Sequence, residues 1–340
     1  MKKRNIFLGM ILAFSLTSCF DMDKMPEGVL STAQPFSSTG EMRNYLDQFY
    51  QTGNPKYGDD KIKVNFGDGL RVQDFGAGGG SGIAGYDTNS DNMSGGAVST
   101  RLAGETTLSG ASKLTNYTAI RNLNFLLCNL DNCVEQGSPD YNQYVGEAYY
   151  FRAWYYYKMF VDYGPLTWVS TPLDPNEEEM QLPRDGRTVV ADSILADLDK
   201  AIYYLGEQNN SASMRVHKDV ARALKSDVAL FEGTWEKYHK AKGDKFFDPT
   251  VTDEKIRSYF TAAADAAKEV MDRGVWRIYT TGNMQDDYRK MFQTTDLSGN
   301  SEVLWFKMYD GDQVGNNVNR YLNQGGGGVG VTASLIDDYL

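Results

Sequence analysis

Acidic and amide side chains at alternate positions, Asp87-x-Asn89-x-Asp91, form the first pattern in this chain with the spacing of a chemical site. Oxygen ligands so spaced open a calcium loop, which a turn glycine and a bidentate glutamate then complete. Asn92 stands where that glycine belongs and Val98 where the glutamate belongs. The preferred reading is a polar turn whose side chains bond their own backbone. No metal is therefore expected, and calcium on Asp87, Asn89 and Asp91 is the alternative. Gly80-x-Gly82-x-x-Gly85 and Gly325-x-Gly327-x-x-Gly330 match the dinucleotide fingerprint by letter. That fingerprint works only where a strand turns into a helix whose N-terminus faces the pyrophosphate. Tyr86-Asp87-Thr88-Asn89 follows the first run and further glycines surround the second, so no cofactor is expected. His217 and His239 are the only imidazoles, which argues against His-rich metal sites and His-based triads. Glu177-Glu178-Glu179, after Asp174-Pro175-Asn176, reads as a solvated loop rather than a general-acid pair.

The remaining candidates are aromatic. The chain holds 22 Tyr, 16 Phe and 5 Trp, and tyrosine pairs a flat apolar face with a polar tip suited to half-wet surfaces. Tyr149 to Tyr157 and Trp235 fall at helical spacing, which assigns them to a core. Aromatics in irregular segments are better placed to stack on a ligand: Phe75 and Tyr86, with Asp91 and Asn92 nearby as hydrogen-bonding groups, and Trp276 and Tyr279 after a helix end. Over the whole chain of 340 residues, 45 acidic side chains face 34 basic ones, a net charge of −11. No run of Lys or Arg marks a phosphate groove, which excludes nucleic acid as a partner.

The N-terminus carries a different chemistry. Lys2, Lys3 and Arg4 precede an apolar stretch from Ile6 to Ser15 that is too short to span a bilayer and reads as a secretory signal. Leu16-Thr17-Ser18-Cys19 then resembles the lipoprotein box, in which the Cys19 thiol is the nucleophile that receives a diacylglyceryl group. Acyl chains contribute about 0.8 kcal/mol per buried methylene, so Cys19 alone would anchor the chain. The expected organisation is a signal over 1–18, a tether over 19–40, a helical domain over 41–309, and the start of a C-terminal region over 310–340. Cys128 and Cys133, set on different faces of one helix, read as two buried small hydrophobes rather than a disulfide.

The elements that position these residues are helical. Apolar residues recur at helical spacing in 145–163, 188–205, 218–239 and 255–273, with shorter helices expected over 40–51 and 113–135. In the first, Tyr149, Ala153, Tyr156, Tyr157 and Phe160 share a face, with Glu147, Lys158 and Asp162 opposite. Val190, Ile194, Leu198, Ala201, Ile202 and Leu205 share a face of the second. Val220, Leu224, Val228, Phe231, Trp235 and Tyr238 line the third; Ile256, Phe260, Ala263, Ala267, Val270 and Met271 line the fourth. Gly164-Pro165, Gly206 and Gly274 close three of them. Alanines beside large aromatics imply close helix approach, and unequal spacing of the four starts excludes a strict repeat. The fold class is mainly α: tetratricopeptide-like helix pairs forming a scaffold, with long irregular loops (66–112 and 310–331) and minor β around 275–280 and 302–308.

Several segments, in order, resemble one family. They are Asn116-Tyr117-Thr118-Ala119-Ile120-Arg121-Asn122-Leu123-Asn124, Glu147-Ala148-Tyr149-Tyr150-Phe151-Arg152-Ala153 running to Tyr163-Gly164-Pro165-Leu166, and Arg187 followed by Ile194-x-x-Asp197-Leu198-x-x-Ala201. Val220-Ala221-Arg222-Ala223-Leu224-Lys225, Glu232 to Tyr238, Asn300 to Trp305 and Thr332 to Tyr339 continue the series. The chain is similar to the SusD/RagB lipoproteins of the Bacteroidetes outer membrane. That resemblance implies a lipid-anchored protein facing the cell exterior, which captures oligosaccharide or peptide and passes it to a SusC-like TonB-dependent barrel. It implies no catalysis and no membrane contact beyond the lipid. It further implies a chain that continues past Leu340, inside whose last motif the sequence stops. A surface-anchored glycoside hydrolase and a helical adaptor without ligand are the rival readings.

Overall fold

The computed structural model describes residues 34–50, 93–94, 103–105, 116–173, 182–212, 215–306 and 330–340. Among them, eight α-helices carry the architecture: α1 Thr39–Asp47, α2 Asn116–Leu127, α3 Pro139–Tyr163, α4 Arg187–Tyr204, α5 Lys218–Lys242, α6 Asp253–Asp272, α7 Asp287–Met291 and α8 Ala333–Tyr339. A two-residue antiparallel pair, β1 (Met93–Ser94) with β2 (Gly330–Val331), is the sheet among the described residues. No described helix is long and apolar enough to cross a membrane.

Local chemistry sets the helix ends. Ser38, Ser138 and Thr252 accept hydrogen bonds from the backbone N–H groups of Glu41, Tyr141 and Lys255, satisfying donors that a first turn leaves free. Pro139 sits in the first turn of α3, where its missing N–H costs nothing. Gly164 (φ 68°) ends α3 and Gly243 (φ 61°) caps α5, both in backbone conformations that L side chains resist. Helix α4 ends differently from expectation. Its cap is Leu205 in an extended conformation, so Gly206 is not the capping residue. The segment expected as one helix over 113–135 breaks after Leu127 and resumes as a single 3-10 turn, Leu130–Asn132. Cys133 is buried beyond that turn, whereas Cys128 is exposed, which corrects the reading of both as core.

Consecutive helices pack on one another: α3 on α4, α4 on α5 and α5 on α6, with α1 and α2 against α3. Helix α3 is the centre of the core, and side chains on all its sides are buried, among them Phe151, Ala153, Tyr156 and Phe160. The solvent face expected for it is therefore overturned at Glu147, which is fully buried. Two glycines permit the closest approaches. A Cβ on Gly146 would lie 2.7 Å from Leu205 Cγ, and one on Gly233 would lie 3.1 Å from Tyr259 Cβ. Tyr238 and Met271, expected on buried stripes, are exposed instead. Phe36, inside the span expected to be a tether, is fully buried against Tyr45 and Phe125, with a left-handed φ of 63° that packing must hold. Residues 35–40 thus belong to the folded body. No strands form over the described parts of 275–280 and 302–308. The two pieces lie side by side through Arg277 N–H to the Ser301 carbonyl, at 3.0 Å.

Candidate binding surface

Trp276 follows the end of α6 and is the one expected ligand-contact residue, besides Tyr279, that lies among the described residues. Its indole is buried, 9% exposed, and does not face solvent. The ring N–H donates to the Asp219 carboxylate at 2.7 Å, and His217 stacks on the ring at 5.5 Å between centroids. Asp219 is fully buried at the start of α5 and also accepts from Arg222 (2.8 Å) and Arg273. Burial holds the His217 imidazole below its usual pKa, hence neutral, and its Nε2 lies 2.9 Å from the Leu304 carbonyl oxygen, which makes Nε2–H the donor. Trp276 is therefore a lock that ties the 276–306 segment onto α5. A Trp after a glycine cap looks like an exposed loop residue in sequence, because nothing local reveals a carboxylate 57 positions away. Tyr279 is half-buried, with its backbone N–H on Glu302.

The same segment turns other rings outward. Asp287, buried at the head of α7, accepts from Thr280 Oγ1 (3.0 Å), Thr281 N–H (2.7 Å) and Thr281 Oγ1 (2.6 Å). These bonds favour the ionised carboxylate and hold its pKa below the ordinary value. They also clamp the 280–283 turn to the helix. Tyr288 and Phe292, one turn apart on this clamped element, are each 70% exposed and meet edge-on at 5.0 Å. Arg289 and Asn283 reach Asp286 beside them, which places charged and amide groups at the rim of an aromatic corner. An i, i+4 aromatic pair behind a Thr-Gly-Asn turn is the sequence signal that could have found it.

A second element is held just as firmly. Residues 166–173 cross helices α2 and α3 as a strap whose carbonyls are met by side chains from below. Tyr117 donates to Thr167 (2.8 Å), Asn124 Nδ2 donates to Val169 and Thr171 (3.0 Å each), and Arg121 donates to Leu173 (3.0 Å). The Tyr156 hydroxyl accepts from Val169 N–H at 2.7 Å. Trp168 on this strap is half-buried and stacks on Tyr156 at 4.0 Å, with the Arg152 guanidinium 5.7 Å away. A further hollow lined by Val331, Leu335, Ile336, Tyr339 and Leu340 is purely apolar and offers a sugar no hydrogen bond.

Residues 90–230 match the family model SusD-like_3, described as starch-binding and associating with the outer membrane. The helical architecture matches a SusD-like carbohydrate binding protein from Bacteroides fragilis NCTC 9343, with a TM-score of 0.62 and 16% identity over 88% of this chain and 52% of that one. The fold is SusD-like. A second SusD-like protein from Bacteroides fragilis NCTC 9343 superposes at TM-score 0.56 with 17% identity, over 83% of this chain and 47% of that one. A SusD homolog from Bacteroides thetaiotaomicron VPI-5482 does so at 0.51 with 16% identity, over 76% and 44%. The chain spans about half the length of the solved structures it matches. No curated protein matches it.

The mainly helical scaffold expected from periodicity is therefore present, and its likeness to these structures is one of fold. Cys19, Phe75, Tyr86, Asp87, Asn89, Asp91 and Asn92 lie outside the described residues, as do the acidic run 177–179 and the glycine run 80–85. Among the described residues, no group of three or more His, Cys, Asp or Glu side chains is arranged to hold a metal ion.

Proposed function

We propose that this SusD-like chain is a non-catalytic glycan-capture protein of the outer-membrane surface. In this reading Cys19 carries the lipid anchor, and captured oligosaccharide passes to a SusC-like TonB-dependent barrel. The observation that carries it is the match of residues 90–230 to a family described as starch-binding and outer-membrane associated. The architecture supports it: rigid helices hold two side-chain-pinned segments, of which the 280–292 corner presents exposed rings beside charged and amide groups. Sugars bind such surfaces through stacking of their C–H faces on rings and hydrogen bonds at the edge. Tyr288 and Phe292 join Phe75, Tyr86, Asp91 and Asn92 as the proposed ligand contacts, while Trp276 is withdrawn from that list by its burial.

The test is a glycan panel against the purified protein, read by calorimetry. Saturable binding to at least one glycan without new reducing ends is expected. Binding to peptides alone would change the ligand class, and new reducing ends lost on replacing a carboxylate would establish the hydrolase instead. Retrieval of a barrel irrespective of glycan, with no glycan bound, would favour the adaptor.

A further inference from the structure

The joint between α4 and α5 contains a polar cluster that the glycan surface does not use. Arg187 opens α4, and its guanidinium lies among Phe160, Phe231 and Trp235, at 4.2, 5.4 and 4.0 Å from the ring centroids. Its Nε donates to Glu232 Oε2 at 2.8 Å. Glu236 follows one turn later on α5, and both glutamates are fully buried. One guanidinium can balance only one carboxylate, so two ionised glutamates would leave a negative charge uncompensated in the core.

The hydrogen bonding shows the same mismatch. Glu232 Oε1 and both Glu236 oxygens are buried without a donor, and Arg187 Nη2 and Trp235 Nε1 are buried without an acceptor. Two ionised carboxylates are acceptors only, so the two glutamates, four residues apart on α5, cannot bond each other while both are charged. One added proton permits an O–H···O bond between them and leaves the cluster with one positive and one negative charge.

We propose that Glu232 and Glu236 share a single proton at neutral pH and that this proton is the latch of the α4–α5 joint. Arg187 from α4 and His239 from α5 favour ionisation, and Asp248 from the turn after α5 opposes it. Tyr259 of α6 faces the pair with its hydroxyl committed to Asp192 (2.9 Å), which is itself paired with Lys255 (2.7 Å). Burial outweighs these and raises both carboxyls, Glu232 to about 7. The sign follows from linkage. The folded chain binds this proton more tightly than the unfolded chain, so its contribution is complete below the ordinary carboxyl range. It declines as pH rises through about 7 and is lost above that range.

The experiment compares the purified wild-type protein with Glu236→Gln. At about pH 6, isotope-edited infrared spectra of glutamate-labelled wild-type protein should contain a protonated-carboxyl stretch that fades on raising the pH and is missing in Glu236→Gln. Wild-type melting should fall by several degrees between about pH 6 and pH 8.5. Glu236→Gln, whose amide can donate where the proton did, should melt at nearly constant temperature over that range and above wild type at its alkaline end. Absence of the carboxyl band in the folded wild-type protein would overturn the proposal, even if the variant failed to fold. An undiminished alkaline decline in a folded Glu236→Gln would overturn it too.

Discussion

Arg152 and Asp197 form a buried, two-pronged ion pair between α3 and α4. Nε meets Oδ2 at 2.6 Å and Nη2 meets Oδ1 at 2.7 Å. The remaining Nη1 donates to Asn124 Oδ1 of α2 at 2.8 Å, and the Asn124 amide nitrogen then holds the strap carbonyls of Val169 and Thr171. One arginine therefore links three helices and, through an asparagine, fixes the path of an irregular segment. Bidentate geometry with all three guanidinium nitrogens engaged is the condition under which a buried pair tolerates its desolvation.

Removing one member of that pair strands the other. Asp197→Ala should lower stability by about 3–5 kcal/mol, measured by equilibrium urea unfolding. Arg152→Met with Asp197→Leu, which removes both charges, should recover most of the loss.

Gly146 marks a contact without room for a side chain. Gly146→Ala forces a methyl group into Leu205, including its backbone nitrogen at 2.9 Å, and should cost about 1–3 kcal/mol. Gly299→Ala, where a Cβ would meet nothing within 4 Å, should change stability by less than about 0.5 kcal/mol. Equal effects at the two sites in thermal melts would contradict the packing described for α3 and α4.

The aromatic corner and the buried indole should separate binding from stability. Tyr288→Ala with Phe292→Ala should weaken glycan affinity by about tenfold or more, equivalent to about 1.4 kcal/mol, while leaving the melting temperature nearly unchanged. Trp276→Phe deprives the Asp219 cluster of a donor and should destabilise by about 1–3 kcal/mol, with affinity preserved. Calorimetric titration and melting on the same samples decide both.

The two described cysteines should differ in reactivity. Cys128 is exposed, whereas Cys133 is buried and its thiol is raised above the usual pKa by that burial. A thiol reagent should modify Cys128 in the folded protein within minutes and Cys133 only on unfolding, as mass spectrometry of the peptides would reveal. Rapid labelling of both would place Cys133 at the surface.

Much of the scaffold was legible in order and extent. The ranges 188–205, 218–239 and 255–273 agree with α4, α5 and α6 to within three residues at each end, because a helix buries one stripe and repeats it every 3.6 residues. The face of α3 was not legible. Glu147 lies opposite the tyrosine stripe by spacing, and only Arg215 and Gln143, from 68 positions later and one turn earlier, explain how its carboxylate is buried: Arg215 Nη2 reaches Oε2 at 2.7 Å and Gln143 donates to Oε1 at 2.8 Å.

Sequence by itself therefore determined the course of the main helices and carried the family resemblance, since each depends on residue type and near-neighbour spacing. Tertiary structure alone decided which polar residues are core and which aromatics face water. Glu147 reads as a solvated charge until Arg215 meets it, and Trp276 reads as a contact residue until Asp219 accepts its N–H. The reason is energetic: an isolated charge is too costly to bury, so its location is set by a partner. For Glu147 the charged partner, Arg215, lies 68 positions along the chain.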